Sequence, residues 1–289
     1  MSRKLRVRRL LYCTMVMGLG NLPAAHAEDP KPNDSNDRSI QLFNAKDVDG
    51  WYTYTTTTKH ENPGVFQFVE GMIYVPGGKD DVAYFGGIVT KRKYENYRLR
   101  FEYKWGPHTY GRRKDKARDA GVLLHCVGPN EPGPWMTSYE FQIIEGGTGD
   151  LLVVNTEQGD DAGREVTLLC TAESEERDAG RFFRAGSEPF TFKIRKGGER
   201  LNWWGRDPDW KDEVDFRGRQ DVESPFGEWT KCEIIARDNT LTYYVNGQLV
   251  NRVTDLNITK GKIFFQTEGA ELWYRNIELT PLKKPAPSE

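Results

Sequence analysis

Short runs in which hydrophobic and polar residues alternate recur along the chain between residues 40 and 282. A period of two is the pattern of a β-strand with one buried face and one solvated face, because successive side chains of a strand point to opposite sides. Residues 97–105 are an example, since Leu99, Phe101 and Tyr103 alternate there with charged residues. These runs predict antiparallel sheets with one dry face and one wet face.

Turn signals separate the runs. Glu70-Gly71 joins two apolar runs, and Asn246-Gly247 joins two others in the pattern of a type I′ hairpin, whose central residues both need a positive φ. The sequence contains about a dozen such strands and no sustained helical periodicity. It therefore predicts an all-β fold, a two-sheet antiparallel sandwich that forms one domain over residues 40–282.

Three segments do not follow the strand pattern clearly. Residues 107–118 form a basic insertion that we expect to be a solvated surface loop, with a lip over a binding site as the alternative. Residues 155–188 are charged and weakly patterned, with one clear strand at residues 166–170. Residues 199–228 form a long Trp-rich excursion.

The candidate chemistry lies in the central stretch, residues 119–154. Glu140 and Gln142 share one face of a predicted strand, and the apolar residues between and after them occupy the other face. Strict alternation would place Glu145 on the apolar face, whereas a bulge of one residue at positions 143–144 returns it to the face of Glu140. We expect this bulge, which brings two carboxylates and one amide onto a single surface.

The N-terminus indicates export. Five basic residues precede the apolar run of residues 10–19, and Ala25-His26-Ala27 matches a small-x-small cleavage site, so residues 1–27 are predicted to be a secretory signal. The run is about half as long as a membrane span requires. We therefore expect a secreted or periplasmic protein, without membrane association after cleavage. Residues 28–39 are predicted to be a disordered spacer and residues 283–289 a C-terminal tail.

The charge of the mature chain bears on its binding partners, and its cysteine content bears on disulfide formation. Removal of the signal takes five of the 41 basic residues and none of the 43 acidic ones, which leaves a formal net charge of −7. Such a chain is not expected to bind nucleic acid. Cys126, Cys170 and Cys232 remain, so at most one internal disulfide can form. Cys126 and Cys170 flank the central stretch and are the candidate pair, with buried free thiols as the alternative.

Several motifs resemble one bacterial family. The opening of residues 42–51 resembles the "LFNGKDLSGW" start of the 3-keto-disaccharide hydrolases, also called 3-keto-glucoside 1,2-lyases and hydratases. Residues 139–145 are similar to the family's "YE-x-QI-x-D" strand and residues 119–122 to its "NSGI" turn. Asn246-Gly247 and residues 261–282 are similar to its later strands, so the resemblance spans nearly all of the predicted domain.

The resemblance implies a concanavalin A-like jelly-roll sandwich that acts on oxidised di- or oligosaccharides or glycosides. The sequence departs from the family at Asp119, where Asn is usual, at His125, where Arg is usual, and at Glu145, where Asp is common. These departures leave the implied fold unchanged and bear on which substrate the protein takes.

Cleavage of a 3-keto glycoside requires a base, a group that polarises the ketone and a proton donor for the leaving oxygen. The ketone at C3 acidifies the hydrogen at C2, so a base can remove it and expel the C1 substituent, after which water adds to the enone. As a hypothesis, we assign Glu140 or His125 as the base and Glu145 as the second acid/base or a metal ligand. Gln142 and Arg275 are then the donors that polarise or position the ketone.

Aromatic residues in loop-like segments are candidate sugar contacts, because a sugar ring stacks on an exposed aromatic face. We assign Trp135 and Trp204 to this role, together with Tyr139, and note Trp203 and Trp210 in the same kind of segment. The alternative for these tryptophans is that they close the ends of the sandwich.

The same residues are compatible with two other functions and with a metal site. Glu140, Gln142 and Glu145 also resemble the E-x-D-x-x-E strand of retaining β-glucanases, whose two carboxyl groups lie about 5–5.5 Å apart. An amide in the middle position cannot share a proton, which weakens that interpretation. The other alternative is a non-catalytic carbohydrate-binding module. A divalent ion held by His125, Glu140 and Glu145 is also open, although no compact metal-spacing motif supports it.

Overall fold

The structure is a computed structural model that describes residues 39–44 and 47–283. The predicted signal, most of the predicted spacer and all but the first residue of the predicted tail lie outside the described residues. Within them, no helix is long and apolar enough to cross a membrane. One short 3-10 helix spans Gly111–Arg113.

The described residues otherwise form strands joined by turns and loops. The strands are β1 (Ile40–Gln41), β2 (Trp51–Thr55), β3 (Gln67–Val69), β4 (Met72–Val75), β5 (Gly78–Lys79), β6 (Val82–Ala83), β7 (Phe85–Thr90), β8 (Tyr97–Thr109), β9 (Asp119–Val127), β10 (Thr137–Ile144), β11 (Leu151–Asn155), β12 (Leu168–Arg177), β13 (Gly180–Phe183), β14 (Pro189–Ile194), β15 (Gly197–Leu201), β16 (Thr230–Arg237), β17 (Thr240–Val245), β18 (Gln248–Val253), β19 (Lys262–Glu268) and β20 (Ala270–Pro281).

Two large antiparallel sheets form the sandwich. The eight-stranded sheet has the order β18-β17-β16-β8-β20-β4-β3, with β1 added on β20, and the seven-stranded sheet has the order β15-β11-β10-β9-β19-β7-β2. A three-stranded sheet, β13-β12-β14, and the pair β5-β6 complete the described fold. The chain crosses repeatedly between the two large sheets, and the predicted all-β, two-sheet antiparallel jelly roll is confirmed.

The core lies between the two large sheets and is dominated by aromatic rings. Phe101 of the eight-stranded sheet lies 6.0 Å from Phe141 and 5.3 Å from Phe265, measured between ring centroids, and both of these belong to the seven-stranded sheet. The three rings are at most 2% exposed. Aromatic side chains bury more apolar area than other residues, so these edge-to-face contacts fix how the two sheets stack.

The two predicted hairpins form. Glu70 and Gly71 have φ values of 49° and 80°, and Asn246 and Gly247 have 47° and 82°. The positive φ at both positions of Asn246-Gly247 is what a type I′ turn requires.

One strand is longer than predicted. β12 runs to Arg177, although the sequence predicts a strand only at residues 166–170. Its burial alternates through Glu175, and the charged residues Glu173 and Glu175 lie on the outer side of its second half, while Ala172 and Ser174 are buried. A strand at the periphery thus carries too little apolar signal to be recognised from sequence.

The three cysteines of the described chain are buried free thiols. The disulfide considered between Cys126 and Cys170 is therefore not formed. Cys126 lies on β9, Cys170 on β12 and Cys232 on β16, so the three thiols belong to three different sheets.

Candidate active site

Glu140 lies on the outer face of the seven-stranded sheet, which points away from the aromatic core. Residues paired directly across neighbouring strands point to the same face, and Glu140 is paired with Leu123 of β9 and Leu152 of β11. Leu123 is paired in turn with Phe264, and Leu152 with Arg200. We call this outer face, with Glu140 at its centre, the carboxylate face.

Five polar side chains form what we call the acidic cluster on this face: Asp119, Glu140, Gln142, Gln266 and Glu268. Gln266 Nε2 donates to Glu140 Oε1 at 3.0 Å, and Gln142 Nε2 donates to Asp119 Oδ1 at 2.5 Å. Gln266 Oε1 has no hydrogen-bond partner among the residues that the structure describes. Two carboxyl groups are thus each held by one amide, and one acceptor is left open.

A glycine provides the space in which the cluster meets. A Cβ atom on Gly121 would lie 2.3 Å from Glu140 Oε1 and 2.7 Å from Gln266 Oε1. Both distances are far below van der Waals contact, so a larger residue at this position would displace the ends of these two side chains. The family-like segment at residues 119–122 therefore contributes Asp119 and this space to the same site.

Burial shifts the ionisation of the cluster. Desolvation, followed by the negative charge of Asp119, raises the pKa of Glu140 to about 8. Desolvation also raises the pKa of Asp119 to about 6, against the opposing charges of Arg113 and Arg200. The pKa of Glu268 is raised as well, by desolvation and then by Asp119 and Glu140. Near neutral pH the cluster therefore holds both a carboxylic acid and a carboxylate.

The basic insertion reaches the carboxylate face. Arg113 Nη2 lies 3.4 Å from Asp119 Oδ2, and the guanidinium of Arg112 lies 4.0 Å from the centre of the Phe85 ring. Arg118, at the end of the insertion, is buried. Arg112 and residues 114–116 are exposed, as expected of a solvated loop, whereas the half-buried Arg113 forms the lip considered as the alternative. Arg118 belongs to neither, because it pairs with Glu145.

Glu145 does not join Glu140. The pairing of β10 with β9 continues without a shift through Ile144, and the only register shift between these strands lies between Thr137 and Tyr139. The predicted bulge before Glu145 is therefore wrong, and strict alternation keeps this residue on the side of the core. Its carboxylate pairs with Arg118 Nη1 and accepts from the backbone N–H groups of Arg118, at 2.9 Å, and Asp215, at 3.2 Å.

His125 also lies apart from Glu140. It has a φ of 51° at an irregularity of β9, its Nδ1 lies 3.1 Å from the carbonyl oxygen of Ile258, and its ring stands edge-on to the core residue Tyr97. Burial lowers the pKa of His125 to about 4, so the ring is neutral at ordinary pH. The structure thus gives it the role of a packed imidazole inside the sandwich rather than a base beside Glu140.

Three other residues predicted to contact the substrate also lie away from Glu140. Tyr139 is fully buried on the core side, where its hydroxyl donates to the Leu169 carbonyl oxygen at 2.6 Å. Arg275 lies on the eight-stranded sheet and donates from Nε to Glu102 Oε2 at 2.7 Å. Trp204 packs against the core and donates from Nε1 to the Leu249 carbonyl oxygen at 2.8 Å. The assignment of these three residues to the site of Glu140 is not supported.

Trp135 does border the carboxylate face. It packs against a small apolar group that includes Leu123, Met136 and Phe264, and its ring centroid lies 6.2 Å from that of Phe264. Because Leu123 is the direct neighbour of Glu140, the carboxylate face has an apolar half next to its acidic half. Glu140, Gln142 and Trp135 are thus the predicted site residues that the structure brings together.

The metal site considered from the sequence is not assembled. His125, Glu140 and Glu145 have separate partners, and no group of three or more His, Cys, Asp or Glu residues in residues 39–44 and 47–283 could hold a metal ion.

Sequence reasoning missed Asp119, Gln266, Glu268 and Arg200. Asp119 stood out only as a departure from a family motif. Gln266 and Glu268 alternate with apolar residues along β19 in the same way that Glu140 and Gln142 do along β10, which was an available signal. Arg200 joins the site only through the pairing of β15 with β11, which the sequence does not show.

A family model described as the 3-keto-alpha-glucoside-1,2-lyase-like domain matches residues 38–280. The chain belongs to this family. The resemblance noted in the sequence is thereby confirmed, and the protein is carbohydrate-active in the broad sense of its family. No curated protein sequence matches the chain.

Solved structures with related folds have low sequence identity. A Parabacteroides distasonis protein with a provisional glycosyl hydrolase name is 20% identical, over 85% of this chain and 94% of its own, with a TM-score of 0.47. The Bacillus licheniformis β-glucanase is 9% identical over 86% and 98%, with a TM-score of 0.44. The Bacillus subtilis carbohydrate-binding module CBM66 is 8% identical over 80% and 95%, with a TM-score of 0.43. Similarity at this level does not identify an activity.

Proposed function

We propose that the protein cleaves 3-keto glycosides by β-elimination at C1–C2, followed by hydration of the enone. The observation that carries the proposal is the pair Asp119 and Glu140, two neighbouring carboxyl groups whose pKa values are raised to about 6 and about 8. Elimination needs a base and an acid at the same time, and this pair supplies both near neutral pH.

In the elimination step, ionised Asp119 takes the proton from C2, which the neighbouring ketone has made acidic. Protonated Glu140 gives its proton to the glycosidic oxygen as the C1–O bond breaks, so the products are an enone and a free alcohol. The roles then reverse. Glu140 accepts a proton from water as the hydroxyl adds to C1, and Asp119 returns a proton to C2.

Arg200 is the cation that stabilises the enolate oxygen formed during elimination. It lies on the carboxylate face, one strand beyond Leu152, and its charge lowers the pKa of both Glu140 and Asp119. Its side chain is 32% exposed, and it donates from Nη1 to Asp150 Oδ2 at 3.0 Å. This replaces the roles assigned from sequence to Arg275, on the other sheet, and to Gln142, whose amide N–H groups already serve Asp119 and Ala120.

A retaining glucanase mechanism has no support in this geometry. It requires two carboxyl groups on either side of one glycosidic bond. Glu140 and Glu145, the pair that would serve, have separate partners on opposite sides of the sheet.

The test is incubation of purified protein with a 3-keto glucoside and with the parent glucoside in D₂O, both anomers of each, with and without a chelator. We expect cleavage of the keto form only, and deuterium at C2 of the product, measured by mass spectrometry and NMR. Cleavage of the parent glucoside would overturn the proposal. So would the absence of cleavage for both anomers of the keto form, with and without the chelator.

Export of the protein belongs to the same proposal. A glycoside-cleaving protein that follows a signal peptide would act outside the cytoplasm, on glycosides from the surroundings. N-terminal sequencing of protein from the periplasm or medium should give Glu28 as the first residue, and an intact Met1 in the cytoplasmic fraction would contradict it.

A further inference from the structure

A cleft of about 570 Å³ opens at the edge of the carboxylate face formed by β15. Arg200 and Arg206 line it. Arg200 lies in one cross-strand row with Glu140, and the charge of Arg206 interacts with that of Asp119. A glycoside whose sugar lies over the acidic cluster would therefore extend its leaving group past these arginines into the cleft.

Four aromatic residues contribute to the walls of the cleft. Phe182, Phe190 and Phe192 come from the three-stranded sheet, and Trp210 comes from the Trp-rich excursion opposite. Phe190 is 40% exposed, so part of its ring remains uncovered.

Guanidinium groups cover two of these rings. The Arg181 guanidinium lies 3.7 Å from the centre of the Phe190 ring, and that of Arg206 lies 4.3 Å from the Trp210 ring. Stacked guanidinium and aromatic planes form flat surfaces that attract another planar π-system.

Three polar side chains of the cleft already bind partners within the protein. Glu176 pairs with Arg181 at 2.7 Å, and Asp207 pairs with Arg219 at 3.2 Å. Asn202 donates from Nδ2 to the Ala179 carbonyl oxygen at 3.4 Å. A second sugar ring, with a hydroxyl on most carbons, needs hydrogen-bond partners, whereas a flat apolar ring needs only surface to cover.

We propose that this cleft is the aglycone subsite and that it takes a planar aromatic group, so that the substrates are 3-keto glycosides of phenols or aryl alcohols. This inference rests on the proposed function, because it assigns the leaving-group side of the same site.

The test compares benzyl and cyclohexylmethyl 3-keto glucosides, with a 3-keto disaccharide as the third substrate. The first two release primary alcohols of similar basicity and differ mainly in whether the ring is flat and aromatic. We expect kcat/KM for the benzyl compound to exceed that for each of the other two by about fivefold to tenfold, the value of one aromatic stack.

Two matched variants test whether Phe190 causes the preference for the benzyl compound. Phe190→Ala should remove most of the preference for the benzyl compound, because kcat/KM should fall more for that compound, which loses an aromatic stack, than for the cyclohexylmethyl compound, which loses only an apolar contact. Phe226→Ala is the control, since Phe226 is 51% exposed and has the Arg118 guanidinium 4.5 Å from its ring centre, but lines a different cleft. It should keep the preference.

Equal turnover of the benzyl and cyclohexylmethyl compounds would overturn the inference and leave the proposed function intact. Preference for the disaccharide, abolished by Phe190→Ala, would show instead that the cleft holds a second sugar. If no 3-keto glycoside is turned over, the proposed function fails. Calorimetric titration with the unoxidised benzyl and cyclohexylmethyl glucosides then decides the inference separately, because equal affinities would overturn it and tighter benzyl binding that Phe190→Ala abolishes would support it.

Discussion

Glu140 and Glu145 lie five positions apart, both are nearly fully buried, and they have opposite surroundings. Glu145 is compensated by the Arg118 guanidinium and two backbone N–H groups. Glu140 receives one amide N–H and has Asp119 as an electrostatic neighbour of the same sign. A buried carboxylate with a cation and backbone donors stabilises the fold, whereas one beside a second carboxyl group holds a proton that it can transfer. The partners, rather than the burial, separate a structural acid from a candidate catalytic one.

The largest effect should come from Glu140→Gln, which preserves shape but removes the proton donor. We expect kcat on a 3-keto glucoside to fall by about 10² to 10⁴ while the protein stays folded. Glu145→Gln, assayed at a temperature where it remains folded, should lose less than about tenfold in kcat, because its side chain stabilises the fold through Arg118 and does not contact the substrate. A larger loss for Glu145→Gln than for Glu140→Gln would reverse the comparison.

Stability should respond in the opposite order. Glu145→Gln leaves Asp215, whose side chain is 70% exposed, as the remaining anion beside the buried Arg118 among the described residues, so we expect the free energy of unfolding to fall by about 3 kcal/mol. Asp215→Asn is the matched control on the same arginine and should cost no more than about 1 kcal/mol, as exposed ion pairs do. Urea unfolding of the two variants measures both, and equal losses would contradict the assignment of Glu145 as the structural partner.

The pH profile of kcat/KM should be bell-shaped. Asp119 must be ionised and Glu140 protonated, so activity should fall below about pH 6 and above about pH 8, by roughly tenfold per pH unit on each side. The two limbs belong to the coupled pair rather than to single residues. Residual activity of Glu140→Gln should lack the alkaline limb, and a limb unchanged in that variant would remove Glu140 from the role of acid.

The last prediction concerns the dependence of stability on pH. The pKa of Glu140 is raised from 4.5 to about 8 in the folded protein, so between these values the unfolded chain binds fewer protons than the folded one, and stability falls as pH rises. Glu140→Gln should match the wild type near pH 4 and exceed its stability at pH 8 by about 4 kcal/mol. Thermal unfolding at both pH values tests this, and a variant less stable than the wild type at pH 8 would show that the buried carboxyl group is well compensated after all.

The sequence was sufficient for features that depend on local chemistry. Alternation along residues 97–105, the positive-φ pair Asn246-Gly247, and the shared face of Glu140 and Gln142 each follow from the geometry of one strand or turn. The same alternation places Tyr139 with Phe141 on the core side, so its assignment as a substrate contact could have been avoided.

Features that depend on register could not be predicted. The one-residue shift between β9 and β10 lies near Thr137, at the opposite end of β10 from the expected bulge, because a bulge is decided by both strands of a pair. Asp119, Gln266 and Arg200 reach Glu140 from three other strands, and no local pattern specifies which strands are neighbours. Arg275 was assigned to the site for the same reason, since alternation shows that it faces outward but does not show from which sheet.

Each of the three principal sheets contains one buried free thiol, so the accessibility of each thiol reports on the opening of its own sheet. Cys126, Cys170 and Cys232 are shielded while the fold is intact, so a thiol reagent can modify each one only when its own sheet separates. Timed alkylation followed by peptide mapping would therefore show the order in which the three sheets open, without any engineered cysteine.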